Sequence, residues 1–371
     1  MTNTSWIQYE HENFIVFNEF SYYKTIYGKN LMRDDFYDVR SPFLMNSQLN
    51  KTSIRQRKKK LPATTTVPEQ FLKRSAHVEA VARRIKEVLR SEETESALCA
   101  NAQLKSALDS VTTNASLLYS DRDFPSVSRR SLKEGQTIAV SNEEGIVYEN
   151  TESCLVTVQS PDGHSLLCPP SSSFLIGHVN LSRHLESQGE SFDLIVMDPP
   201  WQNRSVKRKS TYAMFDNNDL RGVNLPEILS EKGLVAMWVT NSHKSQKAAV
   251  EILKEWGLQV IATWHWLKIT KLYEPVCQFA PHHKVPFESA LIACRPQSVE
   301  SYSCIKNDFC LASIPHGFHS KKPPIHALLK HVGAPIGTRN LELYARCLQP
   351  HFLSIGYEPL CFQDSRFFRF D

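Results

Sequence analysis

From residue 174 to its end the chain alternates short apolar runs with stretches of helical periodicity, and no other feature restricts its fold as much. The apolar runs fall at 174–176, 192–197, 234–239, 260–266, 290–293, 312–315, 341–344 and 352–355. Helical patterns lie around 179–187, 242–256 and 323–332. Strands alternating with helices predict an α/β fold, a mostly parallel sheet with helices on both faces. Such sheets bind ligands outside the carboxyl ends of their strands.

The upstream part reads differently. Residues 1–66 look like an aromatic-rich arm followed by a basic linker. The cations from Arg55 to Lys60 read as a nuclear-import signal or a phosphate-binding strip, or as a solvated charge run. A nuclear location follows from the first reading, with a cytoplasmic or mitochondrial one as the alternative. Phe71, Val78, Val81, Ile85, Val88 and Leu89 recur at helical spacing after Pro68. Residues 67–135 are therefore expected to form a small helical unit, a platform for a protein partner or a substrate. In 136–170, two β-hairpins are expected, one joining 137–140 to 146–148 and one joining 154–159 to 166–168. The last unit is 171–371.

Charge and cysteine content exclude several classes. The chain has 43 Lys and Arg against 39 Asp and Glu, so nucleic acid could be held only by local patches, not by bulk charge. Nine cysteines, an odd number with no C-x-x-C pair, argue against a zinc ribbon and a secreted disulfide framework. Reduced thiols are expected. The first residues carry Glu10 and Glu12 and no apolar h-region, so a signal peptide is not expected. No apolar run approaches the roughly 20 residues of a membrane span. His282 and His283 lack acidic or cysteine partners at ligand spacing, so no metal is expected.

The chemistry concentrates where the apolar run 192–197 meets Asp198-Pro199-Pro200-Trp201. The aspartate stands at a strand's carboxyl end. Two prolines fix φ and remove two N–H donors, leaving carbonyl acceptors beside a carboxylate. That set suits a planar ring with an exocyclic NH₂. Asp198 and the Pro199 carbonyl can each accept one amine proton, and Trp201 can stack on the ring, a contact worth about 1–3 kcal/mol per base. Drawing both protons away turns the amine lone pair toward an electrophile such as a sulfonium methyl held in line.

Asp198-Pro199-Pro200-Trp201 resembles the signature of the adenine-N6 methyltransferase family that includes the catalytic subunit of the mRNA N6-adenosine methyltransferase. Other segments resemble its methyltransferase-like protein 4 branch. They are Trp201-Gln202-Asn203, Ser205 to Arg208, Trp264 to Thr270, Pro281-His282 with Pro286-Phe287-Glu288, His319 to Pro324, and Leu341 to Arg346. The resemblance spans roughly 165–371. It implies a Rossmann-like sheet with permuted motif order and S-adenosylmethionine as cofactor. It implies that Lys322 meets the cofactor carboxylate, that Glu342 and Arg346 face the ribose, and that the Gly356-Tyr357-Glu358 turn holds the adenine. Asp198 would border the cofactor as well as the target amine. His178 and Val179 precede the catalytic strand, and an acidic residue is usual where His178 stands. Cys347 and Tyr357 stand where Asn is usual, so three departures fall on cofactor contacts.

Around the motif, Asn203, Arg204, Lys207, Arg208 and Lys209 are expected to grip phosphates flanking the target nucleotide, or else to serve solubility. Trp264 and Trp266 share a strand face, read as core, and His265 points the other way as a satisfied core histidine or an orienting group. The leading reading is N6-methylation of adenine in nucleic acid, with DNA slightly favoured. Adenosine in small nuclear RNA is the alternative. A catalytically weak binding or scaffold subunit and a cytosine-N4 enzyme are further alternatives.

Overall fold

The computed structural model describes residues 5–28, 31–43, 67–89, 101–112, 118–201, 220–280, 285–318 and 321–370. The strands are β1 (Ile7–His11), β2 (Phe14–Phe17), β3 (Leu31–Met32), β4 (Val127–Ser131), β5 (Gly145–Glu149), β6 (Val156–Gln159), β7 (Ser165–Cys168) and β8 (Ser173–Ile176). They continue with β9 (Phe192–Met197), β10 (Leu229–Val239), β11 (Gln259–Lys268), β12 (Phe287–Cys294), β13 (Phe309–Ser313), β14 (Asn340–Leu343), β15 (Phe352–Gly356) and β16 (Phe368–Arg369).

Twelve strands make one sheet in the order β1-β2-β13-β11-β12-β10-β9-β14-β15-β8-β5-β4. The run β10-β9-β14-β15-β8 is parallel throughout, with β9 at its heart between β10 and β14. Strand β12 runs antiparallel to both its neighbours. The carboxyl ends of the parallel strands and the start of β12 therefore share one edge. This is the mostly parallel α/β sheet that the alternating pattern predicts.

Alternation along each strand divides the core in two. On one face, Leu194, Val196, Ala236, Trp238, Trp264 and Trp266 pack beneath the helices Glu19–Tyr27 and Ile325–His331. On the other, Ile195, Met197, Met237 and Val239 meet Ala249, Ile252 and Leu253 of the helix His243–Glu255. Farther along that face, Leu267, Phe287 and Cys310 meet Phe71, Val78, Val81 and Ile85 of the helix Glu69–Val88. Burying each Leu, Ile, Val, Met or Phe among them favours the fold by about 1.5–3 kcal/mol before entropy is counted.

The packing does not follow the divisions expected at 66, 135 and 170. Strands β1 and β2 belong to the main sheet, because β2 pairs in parallel with β13. The helix Glu69–Val88 is a cover of that sheet rather than a separate unit, because its apolar stripe is buried against β11 to β13. Strand β3 pairs with β16, so Leu31–Met32 lie beside Phe368–Arg369.

In 136–170 the second expected hairpin forms, as β6 against β7. The first does not: β5 pairs with β4 in parallel and with β8 antiparallel. Strand β5 carries Ile146 and Tyr148 on one side and Val147 on the other, all buried, which suits an interior strand better than a hairpin arm. The run 312–315 starts earlier, as β13. Within the helical unit expected at 67–135, Ala102–Thr112 also forms a helix, while 90–100 and 113–117 lie outside the described residues.

Trp264 and Trp266 are each 1% exposed, as core residues should be. His265 is fully buried and bonded to Ser289, with Asp308 at 3.4 Å. Burial lowers its pKa below the ordinary histidine value despite Asp308. Among the described residues no helix is long and apolar enough to cross a membrane, and no cluster of three metal-ligating side chains occurs. The described cysteines are free thiols.

Candidate active site

Strand β9 is buried on both faces and delivers Asp198 to the carboxyl edge beside the ends of β10 and β14. The Pro199-Pro200 pair then folds back at once. The Pro199 carbonyl accepts the Trp201 backbone N–H at 2.7 Å, and a carbonyl has a second lone pair for another donor. Trp201 differs from expectation. It is 4% exposed, and its indole N–H donates to the Trp238 carbonyl at 2.8 Å. A buried indole needs an acceptor, and the end of β10 supplies one. In this arrangement Trp201 ties the Asp198-Pro199-Pro200 turn to β10, with its ring enclosed.

Tyr344, at φ 61, follows β14 in the left-handed region. The turn brings Arg346 back toward the end of β9. A chain of ion pairs then runs along the edge. Arg346 Nε lies 3.3 Å from Glu358 Oε1, and its Nη1 lies 3.2 Å from Asp198 Oδ2. Lys322 Nζ lies 3.1 Å from the same Asp198 oxygen and 2.9 Å from Glu288 Oε2. Lys268 closes the chain on Glu288 and sits 4.5 Å above the Trp266 ring.

These pairs set the protonation of the site. Burial would lift the Glu288 carboxyl, but Lys322 and Lys268 more than offset it and hold the group well below the ordinary carboxylate range. Burial would lower the Lys322 ammonium, and Asp198 and Glu288 hold it above its usual value instead. Glu342 on β14 is pushed up to about 8, by burial first and by the Asp198 charge second. Burial and Glu342 push the Cys347 thiol to about 11, so it stays protonated near neutrality.

Beneath this chain lies a pocket open to solvent. Asp198, Lys322, Glu342, Arg346 and Cys347 line it, five of the residues singled out from the sequence. Its wall also holds Trp238, Lys321, His326, Gln349 and Phe362. Its mixed lining suits a small polar ligand.

His178, Val179 and Tyr357 are not in that wall. They stand at the ends of β8 and β15, where Gly177 N–H donates to the Gly356 carbonyl at 2.9 Å. A Cβ on Gly177 would lie 2.6 Å from Leu181 Cδ1 and 3.0 Å from the Arg122 carbonyl oxygen, so any larger residue would force Leu181 to shift. The His178 and Tyr357 rings are 5.8 Å apart, and Tyr119 lies 5.7 Å from Tyr357. His178 Nδ1 also accepts the Asn180 N–H at 3.1 Å, capping the next turn. Val179 is fully buried, so only its backbone is available at the edge. Glu358 connects this cluster to the pocket through Arg346. Asn203, Arg204, Lys207, Arg208 and Lys209 lie outside the described residues, as do Arg55 to Lys60.

The structure adds residues to which the sequence reading gives no role. Lys268 ends β11 and Glu288 opens β12, and the antiparallel pairing of these strands sets them side by side. The helix Glu19–Tyr27 backs the pocket. Glu19 Oε1 accepts from Ser313 at 2.7 Å, and Ser313 accepts from the Trp266 indole at 2.8 Å. Burial pushes the Glu19 carboxyl up to about 6. The Tyr22 hydroxyl lies 2.9 Å from His326 Nε2, and Gln349 donates to the Tyr23 hydroxyl at 3.1 Å. The detectable signal was the apolar pattern of 14–27, which reads as packing.

Residues 192–358 match the MT-A70 family. The chain is 33% identical over 369 residues to the Caenorhabditis elegans protein named DNA N6-methyl methyltransferase, covering 96% of this chain and 97% of that one. It is 34% identical over 253 residues to the human N(6)-adenine-specific methyltransferase METTL4, covering 63% of this chain and 53% of that one. It is 32% identical over 283 residues to the N6-methyladenosine RNA methyltransferase MTA1 of Pyricularia oryzae, covering 72% and 73%.

Proposed function

The chain belongs to the MT-A70 family of adenine-N6 methyltransferases, and from that premise we propose that it methylates adenine N6 in DNA with S-adenosylmethionine as donor. The observation that carries this reading is Asp198, presented by a buried strand beside a pocket that its own ion-pair partners line. DNA is preferred because the relative aligned over nearly the whole of both chains is named for it. RNA is the second reading, favoured by the relative named for RNA.

The residues present fit the cofactor. The pocket combines carboxyls (Asp198, Glu342) with ammonium groups (Lys321, Lys322), as a zwitterion bearing a sulfonium requires. One buried ammonium there lacks a hydrogen-bond partner among the described residues. When bound, the cofactor supplies an electrophilic methyl.

The chain's own residues do the rest. Both cations on Asp198 contact Oδ2, so we assign Oδ1 to one proton of the target amine. The Pro199 carbonyl takes the other through its remaining lone pair. The amine lone pair is thereby released from the ring and aimed at the methyl. Transfer would break the donor's S–CH3 bond and release the thioether, and the acidified N6 proton would leave to water or through Asp198. Trp201 keeps the turn in place through Trp238. A base inside a duplex must flip out, so single-stranded, bulged or terminal adenines are easier targets. Arg204, Lys207, Arg208 and Lys209, with Asn203, belong to this proposal as phosphate contacts, and Arg55 to Lys60 as a nuclear-import signal.

Methyl-labelled cofactor with matched DNA and RNA oligonucleotides, followed by nucleoside analysis, tests the reading. N6-methyldeoxyadenosine is expected, with the rate falling about 100-fold or more in Asp198→Ala. Label on RNA alone overturns the choice of polymer. Full activity in Asp198→Ala overturns the site.

A further inference from the structure

The sheet has two faces, and the pocket lies on one of them. Val196, Trp238, Ile325, Phe352 and Phe362 in its wall belong to the face beneath the helices Glu19–Tyr27 and Ile325–His331. The opposite face takes the chain as it leaves the active edge. Trp201, Leu220 and Val223 pack there, and Arg221 Nε donates to Glu255 of the helix His243–Glu255 at 2.7 Å. Phe279 and Val285 pack farther along the same face. The residues flanking 202–219 and 281–284 are thus held on the side away from the pocket. In-line transfer needs donor and acceptor on opposite sides of the moving methyl. With the donor in the pocket, the target strand reaches Asp198 from the other face.

That face carries cations where it meets the edge. The helix His243–Glu255 begins just after β10, and its first two turns expose His243, Lys244 and Lys247. Arg74 Nη2, on the helix Glu69–Val88, donates to Gln246 Oε1 at 2.9 Å, which joins the opening turns of the two helices. The Phe71 and Phe287 rings lie 6.4 Å apart, and Phe287 precedes Glu288, so the seam between the helices starts at the active edge. Lys244 has no ion pair among the described residues. Glu69 lies 2.7 Å from Lys73, and Glu251 lies 3.8 Å from Lys247, with all four side chains more than half exposed. Exposed pairs of this kind are worth about 0–1 kcal/mol, too little to keep a phosphate out.

We infer that this seam carries the nucleic-acid strand flanking the target adenine, with Lys73, Arg74, Lys244 and Lys247 meeting its phosphates. This rests on the reading of nucleic acid as the substrate. Cations spread over two helices suit a polyanion, and such contacts fix its register without reading its sequence. The helix Glu69–Val88 thereby becomes part of the substrate side of the enzyme.

Fluorescence anisotropy of the full chain with a labelled single-stranded oligodeoxynucleotide, measured over a range of salt concentrations, tests the inference. Each lost phosphate contact lowers the slope of log K against log salt by about 0.7. Lys244→Gln with Lys247→Gln is expected to lower it by about 1.4 and to weaken binding about tenfold or more at low salt. Lys73→Gln is expected to lower it by about 0.7. These side chains touch no reacting atom, so KM for the oligonucleotide should rise while kcat at saturation stays within about twofold. Lys24→Gln with Lys330→Gln removes two exposed charges from the helices on the pocket face and should leave the slope unchanged. A wild-type slope in the Lys244/Lys247 variant overturns the inference, as does an equal loss in the Lys24/Lys330 variant. A wild-type chain that binds no oligonucleotide overturns the nucleic-acid reading instead.

Discussion

Replacing Glu288 with glutamine removes one negative charge from the edge at almost constant volume. Lys322 keeps Asp198, but Lys268 keeps only the Trp266 ring and whatever the amide oxygen offers. Breaking a fully buried pair in this way costs about 3–5 kcal/mol. The Glu288 side chain is 27% exposed and that of Lys268 9%, so water recovers part of it. One hydrogen bond to the amide restores about 1 kcal/mol, leaving an expected loss of about 2 kcal/mol. Urea unfolding at pH 7 measures it. The pH dependence tests the cause. The folded carboxyl is held well below its ordinary 4.5, so its stabilisation is complete above 4.5 and is lost as pH falls through the depressed native value. Below 4.5 the gap between wild type and Glu288→Gln should therefore narrow by about 1.4 kcal/mol per pH unit, and vanish near pH 3. A gap that stays constant from pH 7 to pH 3 would refute the electrostatic account and point to packing.

Two further substitutions probe the neighbourhood. Glu342 is raised from 4.5 to about 8, so the unfolded chain ionises first and the fold loses stability across that interval as pH rises. Glu342→Gln should gain on the wild type steadily over the same interval in chemical denaturation, and parallel curves would contradict this. Gly177→Ala pushes a methyl against Leu181 and the Arg122 carbonyl, an overpacking that costs about 1–3 kcal/mol. Thermal melting should show the drop, and an unchanged midpoint would mean that the turn relaxes freely.

The alternation beyond residue 174 announced the sheet because each strand there is apolar on both faces, a pattern that neighbouring helices do not imitate. Asp198 was legible for the same reason: an apolar strand and two prolines leave one place for it. The pairing of β2 with β13 was not, since no local period records a partner almost 300 residues away. The Glu288–Lys268 pair was hidden likewise, because it depends on β12 running against its neighbours. Trp201 was read as a stacking face from its position in the motif. Which acceptor its indole would find could come only from the placement of β10.

The bond between Ser313 and Glu19 joins groups 294 residues apart, and Leu31–Met32 pairs with Phe368–Arg369. At about 5–20 residues per second, the helix Glu19–Tyr27 waits roughly 15–60 s on the ribosome before its partners exist. During that interval β2 has only β1 beside it, and its other edge is an apolar hazard that a chaperone would need to cover. The back wall of the pocket is thus among the first parts of the protein to be made and among the last to be built in. A nascent chain has no complete pocket to fill until nearly all of it has been synthesised.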